Sequence, residues 1–102
     1  MIMIEVVLVA KPGEEAGLVA LFRRTAQASQ AEPGCMTYRF TRDLDDGSFH
    51  LLEQWEDDAA IRAHLAGPAF KAFAAALPAV GNILSSRWQS GTFHPYARPQ
   101  VA

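Results

Sequence analysis

Residues 35–56 read CMTYRFTRDLDDGSFHLLEQWE, and two alternating runs within that stretch decide the fold. In the first, Met36, Tyr38 and Phe40 share one parity while Thr37, Arg39 and Thr41 share the other. That is the pattern of a strand with one wetter face. Asp45-Asp46-Gly47 then supplies turn residues, so a hairpin is expected. In the second run, residues 48–56, Phe49, Leu51, Glu53 and Trp55 point one way. His50, Leu52, Gln54 and Glu56 point the other.

Upstream, residues 14–30 carry Leu18, Leu21, Phe22 and Thr25 at helical spacing, with Arg23, Arg24 and Gln27 on the other side. Glu14 and Glu15 suit the first turn of such a helix. Glu32-Pro33-Gly34 ends it. Further back, residues 2–10 are β-branched and apolar on both parities apart from Glu5. A strand of that kind is expected to be covered on both faces. Lys11-Pro12-Gly13 breaks it.

Downstream, Asp57 or Asp58 caps a short helix through Leu65. Gly67-Pro68 interrupts it, and Pro68 opens a second helical stretch carrying Phe70, Phe73, Ala74 and Leu77. Pro78 is expected to stop that stretch, and residues 82–90 to form a last strand. The resulting order β-α-β-β-α-β gives an α+β, ferredoxin-like fold, a split β-α-β with a four-stranded antiparallel sheet and helices on one face. Residues 1–92 are expected to form the domain and residues 93–102 a tail. Met36, Tyr38, Phe40, Phe49, Leu51 and Trp55 are more apolar side chains than one helical layer is expected to cover. A homodimer packing sheet against sheet follows as an expectation.

The chain has 102 residues, enough for one core and not two. A formal net charge of −2 gives no general pull toward nucleic acid or anionic membrane. No apolar run reaches the roughly 18 residues of a spanning helix. The N-terminus lacks the basic region and cleavage site of a signal peptide. Cys35 is the one cysteine and has no intrachain partner, which fits a reducing cytoplasm. His50, His64 and His94 are scattered, so no metal site is expected.

Four segments together resemble a known family. They are Lys11-Pro12-Gly13 after an apolar strand, Glu32-Pro33-Gly34-Cys35 opening the second strand, Leu52-Glu53-Gln54-Trp55-Glu56 ending the third, and residues 64–73, HLAGPAFKAF, across the helix break. Over roughly residues 2 to 90 they are similar to the antibiotic biosynthesis monooxygenase (ABM) family. The resemblance implies a dimeric α+β barrel. It also implies an activity among cofactor-independent monooxygenases of hydroquinone-like polyketides and quinols, or among haem-degrading relatives. Two departures matter. Many members carry a second histidine just after the proline of the helix break, where this chain has Ala69. The haem-degrading branch uses an asparagine on the first strand and an axial histidine in the second helical region. Here the first strand has no asparagine and residues Phe70 to Leu77 include no histidine, which disfavours haem degradation.

The candidate site residues each carry a functional and a structural reading. Glu53, between Leu51 and Trp55 on an apolar face, is either a desolvated proton acceptor or a paired structural carboxylate. His64 has the intrinsic pKa of a general base but also suits a helix C-terminus. Trp55, Tyr38, Phe70 and Phe73 either wall an aromatic pocket or fill the core, and of the four Phe73 best suits the core. Arg87 either neutralises a phenolate or superoxide, or pairs with Glu53. Cys35 reads as packing, and Asp43, Asp45 and Asp46 as a solvated turn. The leading expectation is a monooxygenase without flavin or metal, taking O2 and a small aromatic or quinol substrate. The alternative is a ligand-binding or stress-related dimer with no turnover, with haem degradation behind it.

Overall fold

The computed structural model describes residues 1–101. Its elements are β1 (Ile2–Ala10), α1 (Glu15–Gln30), β2 (Cys35–Arg42), β3 (Phe49–Trp55), α2 (Asp58–Ala66), α3 (Pro68–Val80) and β4 (Gly81–Ser90). The strands form one sheet in the order β2-β3-β1-β4, antiparallel at every pairing. This is the ferredoxin-like arrangement expected from the strand and helix order.

The β2–β3 hairpin is closed by its acidic residues. Asp43 Oδ1 accepts from the backbone N–H groups of Asp45 and Asp46, and Asp46 Oδ1 accepts from the N–H and hydroxyl of Ser48. Gly47 sits at φ +73°, a conformation that costs a side chain dearly. The carboxylates are therefore turn-builders.

One face of the sheet carries the core. Ile4, Val6 and Leu8 of β1 and Phe49, Leu51 and Trp55 of β3 are buried there with Leu18, Leu21 and Phe22 of α1 and Phe73 and Leu77 of α3. Phe22 stacks on Phe40 with ring centroids 4.0 Å apart. Tyr38, Phe40, Phe49, Leu51 and Trp55 are thus all accommodated beneath the helices, and that set does not require a second layer. Met36 leaves the set entirely. The register shifts between Cys35 and Thr37, and the bulge turns Met36 outward, 54% exposed. Within the single chain β1 is also covered on one face only, with Glu5 exposed and Val7 and Val9 half-buried.

Pro78 does not stop α3, which runs on to Val80. Pro78 leaves only the Ala74 carbonyl without its helical donor, and the proline sits in the last turn, whose end carbonyls need donors from elsewhere in any case. Here the Lys11 ammonium donates to the Pro78 carbonyl, the Lys11 backbone N–H to that of Val80 at 2.9 Å, and Gly81 N–H to that of Leu77. Leu77, buried one residue before the proline, anchors the turn.

Gly34 joins the α1–β2 turn to α2. It lies at φ +80°, its carbonyl accepts from Glu56 N–H at 2.8 Å, and an added Cβ would stand 2.5 Å from that of Ala60. Gly34→Ala combines left-handed backbone strain with overpacking, and is expected to cost about 2–4 kcal/mol. Urea unfolding measures it; a loss below about 0.5 kcal/mol would show that the turn relaxes freely.

Beyond β4, Gly91 N–H donates to the Met1 carbonyl at 3.1 Å, and residues 91–101 form no regular element and are exposed. Ala102, the last residue of the expected tail, lies outside the described residues. Among the described residues no helix is long and apolar enough to cross a membrane.

Candidate active site

Alternation along β3 sends Glu53 and Trp55 under the helices with Phe49 and Leu51. Trp55 is fully buried, and its indole N–H donates to Glu53 Oε1 at 3.0 Å. Asp57 caps α2, its carboxylate accepting from Ala60 N–H at 2.9 Å. The helix then carries Ile61 and His64, three residues apart, on its buried face. The His64 ring lies over Trp55 with centroids 4.5 Å apart, and Tyr38 and Phe70 stand 5.7 and 5.6 Å away.

His64 is held between two carboxylates. Its Nδ1 is 3.0 Å from Glu32 Oε1, and its Nε2 is 3.8 Å from Glu53 Oε1. An ionised carboxylate only accepts, so Nδ1 carries a hydrogen toward Glu32 and the Nε2 edge faces Glu53. Burial pushes the Glu53 carboxyl above the usual carboxylate range. The Trp55 indole and His64 pull it back in part, and the Glu32 charge adds to the rise. Burial, and then the charge of Glu53, also raises Tyr38, which stays a neutral phenol. Burial together with Glu32 and Glu53 raises the Cys35 thiol, the reverse of an activated nucleophile.

A carboxyl with a raised folded pKa contributes stability below its unfolded pKa and loses that contribution as pH rises through the folded value. Wild type should therefore weaken relative to Glu53→Gln as pH climbs above about 4.5. Denaturation midpoints of the two proteins from pH 4 to 8 test this. A difference independent of pH would mean that Glu53 has an ordinary carboxyl.

The pair opens onto a cavity of about 180 Å³ between the sheet and α2 and α3. Glu53 and His64 are its acid–base groups, and Tyr38, Phe70, Phe73 and Trp88 its aromatic ones. Its β4 side is loosely covered, since Ile83 and Trp88 are about half exposed. A larger open groove of about 370 Å³ runs between α1 and β2, lined by Arg23, Arg39 and Arg42 but by no carboxylate or histidine.

The structure brings His64, Glu53, Tyr38 and Phe70 together around one cavity. Trp55 stands behind that wall, holding Glu53 and His64. Phe73 is both core and cavity wall, and Trp88, which was not among the expected wall residues, lines the cavity too. Arg87 is not in the cluster. Ile4 pairs with Trp88 and Glu5 with Arg87, so Arg87 lies on the sheet face away from the helices and Glu53 takes other partners. Glu32, from the loop between α1 and β2, was not legible as a site residue; its only sequence signal is its place in the Glu32-Pro33-Gly34 turn. Among the described residues no group of three or more His, Cys, Asp or Glu side chains is arranged to hold a metal ion.

Residues 1–76 match the family model described as antibiotic biosynthesis monooxygenase. The chain belongs to the antibiotic biosynthesis monooxygenase family. An uncharacterized protein of Synechocystis, sll1783, is 36% identical over 64 residues, which are 62% of this chain and 44% of that protein. The chain thus spans less than half the length of that relative. SnoaB of Streptomyces nogalater, described as a cofactor-independent oxygenase, superposes with a TM-score of 0.77 at 26% identity, over 91% of this chain and 94% of its own. Rv0793 of Mycobacterium tuberculosis shares the fold, with a TM-score of 0.84 at 18% identity over 93% and 98% of the two chains. In this ABM protein Ala69 is the second residue of α3, directly after Pro68.

Proposed function

We propose that this ABM protein is a cofactor-independent monooxygenase that oxidises a small aromatic, quinol or polyketide-like phenol with O2. The observation that carries the reading is the buried His64–Glu53 pair facing an otherwise apolar and aromatic cavity. Such a wall binds a planar ring, and the pair can take a proton from it. The similarity to SnoaB supports the reaction class.

Proton removal from the phenol by the pair gives an electron-rich anion. That anion passes one electron to O2, and the substrate radical and superoxide combine to form a C–O bond. His64 returns the proton to the peroxide. Loss of water from the hydroperoxide leaves a carbonyl, so a CH2 group and O2 become C=O and H2O. Low polarity around the ring favours charge spread over the aromatic system, and the cavity shields the peroxide from water.

Oxygen uptake with reduced quinols and anthrone-type phenols, with no added cofactor, tests the reading. Protein-dependent uptake is expected. Tight binding of these ligands with no uptake would make the protein a binding module instead.

The same reading includes a homodimer packed through the sheet. β4 is a ten-residue edge strand with Ile83, Leu84 and Trp88 exposed, and edges of that kind are normally covered. Sedimentation equilibrium is expected to give twice the 11.1 kDa chain mass. A monomer at micromolar concentration would remove the dimer from the reading.

A further inference from the structure

A base enclosed in an apolar cavity needs somewhere to keep the proton it takes. Around Glu53 and His64 the cavity offers apolar side chains such as Ile4, Leu51, Phe70 and Phe73, and the neutral donors Tyr38, Ser86 and Trp88, none of which readily takes up a further proton. Glu53 and His64 are themselves almost fully buried, with side chains 8% and 2% exposed. On the far side of the imidazole stands Glu32, 22% exposed, and it borders a separate surface groove with Gly34, Glu56 and Asp57. The three groups therefore reach from the cavity to the surface: Glu53 Oε1 to His64 Nε2 at 3.8 Å, then Nδ1 to Glu32 Oε1 at 3.0 Å.

The backbone of this turn does not need the carboxylate. Glu32 N–H donates to the Ser29 carbonyl at 3.0 Å, and the Glu32 carbonyl accepts from Cys35 N–H at 3.2 Å. Among the described residues, the Glu32 side chain forms a hydrogen bond or ion pair with His64 and with no lysine or arginine. A neutral amide could hold the ring in place as well. What only a carboxylate adds is the capacity to accept the proton.

We propose that Glu32, His64 and Glu53 form a proton relay through the wall of the domain, with Glu32 as its outer, positioning residue. The proposal rests on His64 and Glu53 being the acid–base pair. In the first half-reaction the substrate proton arrives at Nε2, directly or by way of Glu53, and the Nδ1 proton passes to Glu32 Oε1. In the second, Nε2–H is given to the peroxide and Glu32 returns its proton to Nδ1. The ring ends in its starting tautomer without turning over, and no proton is created or lost. Between the two halves the proton on Glu32 is open to exchange with water.

The test compares wild type with Glu32→Gln, which keeps the acceptor oxygen for Nδ1–H but takes up no proton. Nitrogen-15 NMR of the His64 imidazole gives its tautomer and the exchange rate of Nδ1–H with water, with no substrate present. Both proteins are expected to show the Nδ1–H tautomer, with exchange slowed about tenfold or more in Glu32→Gln. Oxygen uptake should fall about 10²-fold in Glu32→Gln, and formate should restore part of the rate in Glu32→Ala. Unchanged exchange in Glu32→Gln would overturn the relay and leave Glu32 as a structural acceptor. Because exchange is read without substrate, the relay is decided even if no phenol is turned over.

Discussion

His64→Gln is expected to reduce protein-dependent oxygen uptake by about 10²–10⁴-fold while the fold persists. Glutamine approximates the volume of the imidazole, and its amide can still donate to Glu32 and meet Glu53. It cannot accept a proton near neutral pH. The buried ring sits between carboxylates 3.0 and 3.8 Å away, so its loss removes the one group able to pass a proton between them. Initial uptake rates, beside circular dichroism showing an intact domain, measure the effect. A variant within twofold of wild type would take His64 out of the chemistry and leave it as packing.

Trp55→Ala carries the largest expected stability loss, about 3–5 kcal/mol. The indole is fully buried, lies 4.5 Å from His64 and 6.5 Å from Tyr38 by ring centroids, and gives its N–H to Glu53. Truncation opens a void beneath the helices and leaves a buried carboxyl oxygen without its donor. Trp55→Phe separates the two effects: most of the ring stays, the N–H goes, and about 1–3 kcal/mol should be lost. Against a domain stability of roughly 5–15 kcal/mol, the alanine variant should be close to unfolding at 37 °C. Urea titrations of the three proteins test this, and equal losses in the two variants would place the whole effect in the hydrogen bond.

The hairpin and the face of β3 were legible because alternation with a period of two survives wherever pairing is regular. Phe49, Leu51, Glu53 and Trp55 fall on one face, which puts Glu53 among apolar neighbours but leaves open whether it is a proton acceptor or a paired structural carboxylate. Regularity failed at the bulges. One extra residue near Cys35 turned Met36 outward, and a second irregularity opposite Val7 and Leu8 lies within β4. Arg87, beyond that irregularity, falls on the far face because Trp88, its neighbour, pairs with Ile4 on the near one. Pro78 misled for a different reason: the donors from Lys11 that sustain the end of α3 come from a loop 67 residues earlier. Glu32 was hidden by the same kind of distance. It lies 32 residues from His64 and is delivered by a turn, where no periodicity reports which way a side chain points. Local pattern thus marked the two cavity-side members of the cluster, while the third depended on how α2 settles against the α1–β2 loop.

On the proposed function, the His64–Glu53 cavity brings oxygen from O2 into a phenolic substrate. Turnover of an anthrone-type phenol under ¹⁸O2, with mass spectrometry of the product, tests it most directly. One ¹⁸O atom in the new carbonyl, with the other in water and no cofactor present, is the expected result. A product formed without label, or no protein-dependent product from any phenol that binds the cavity, would contradict it.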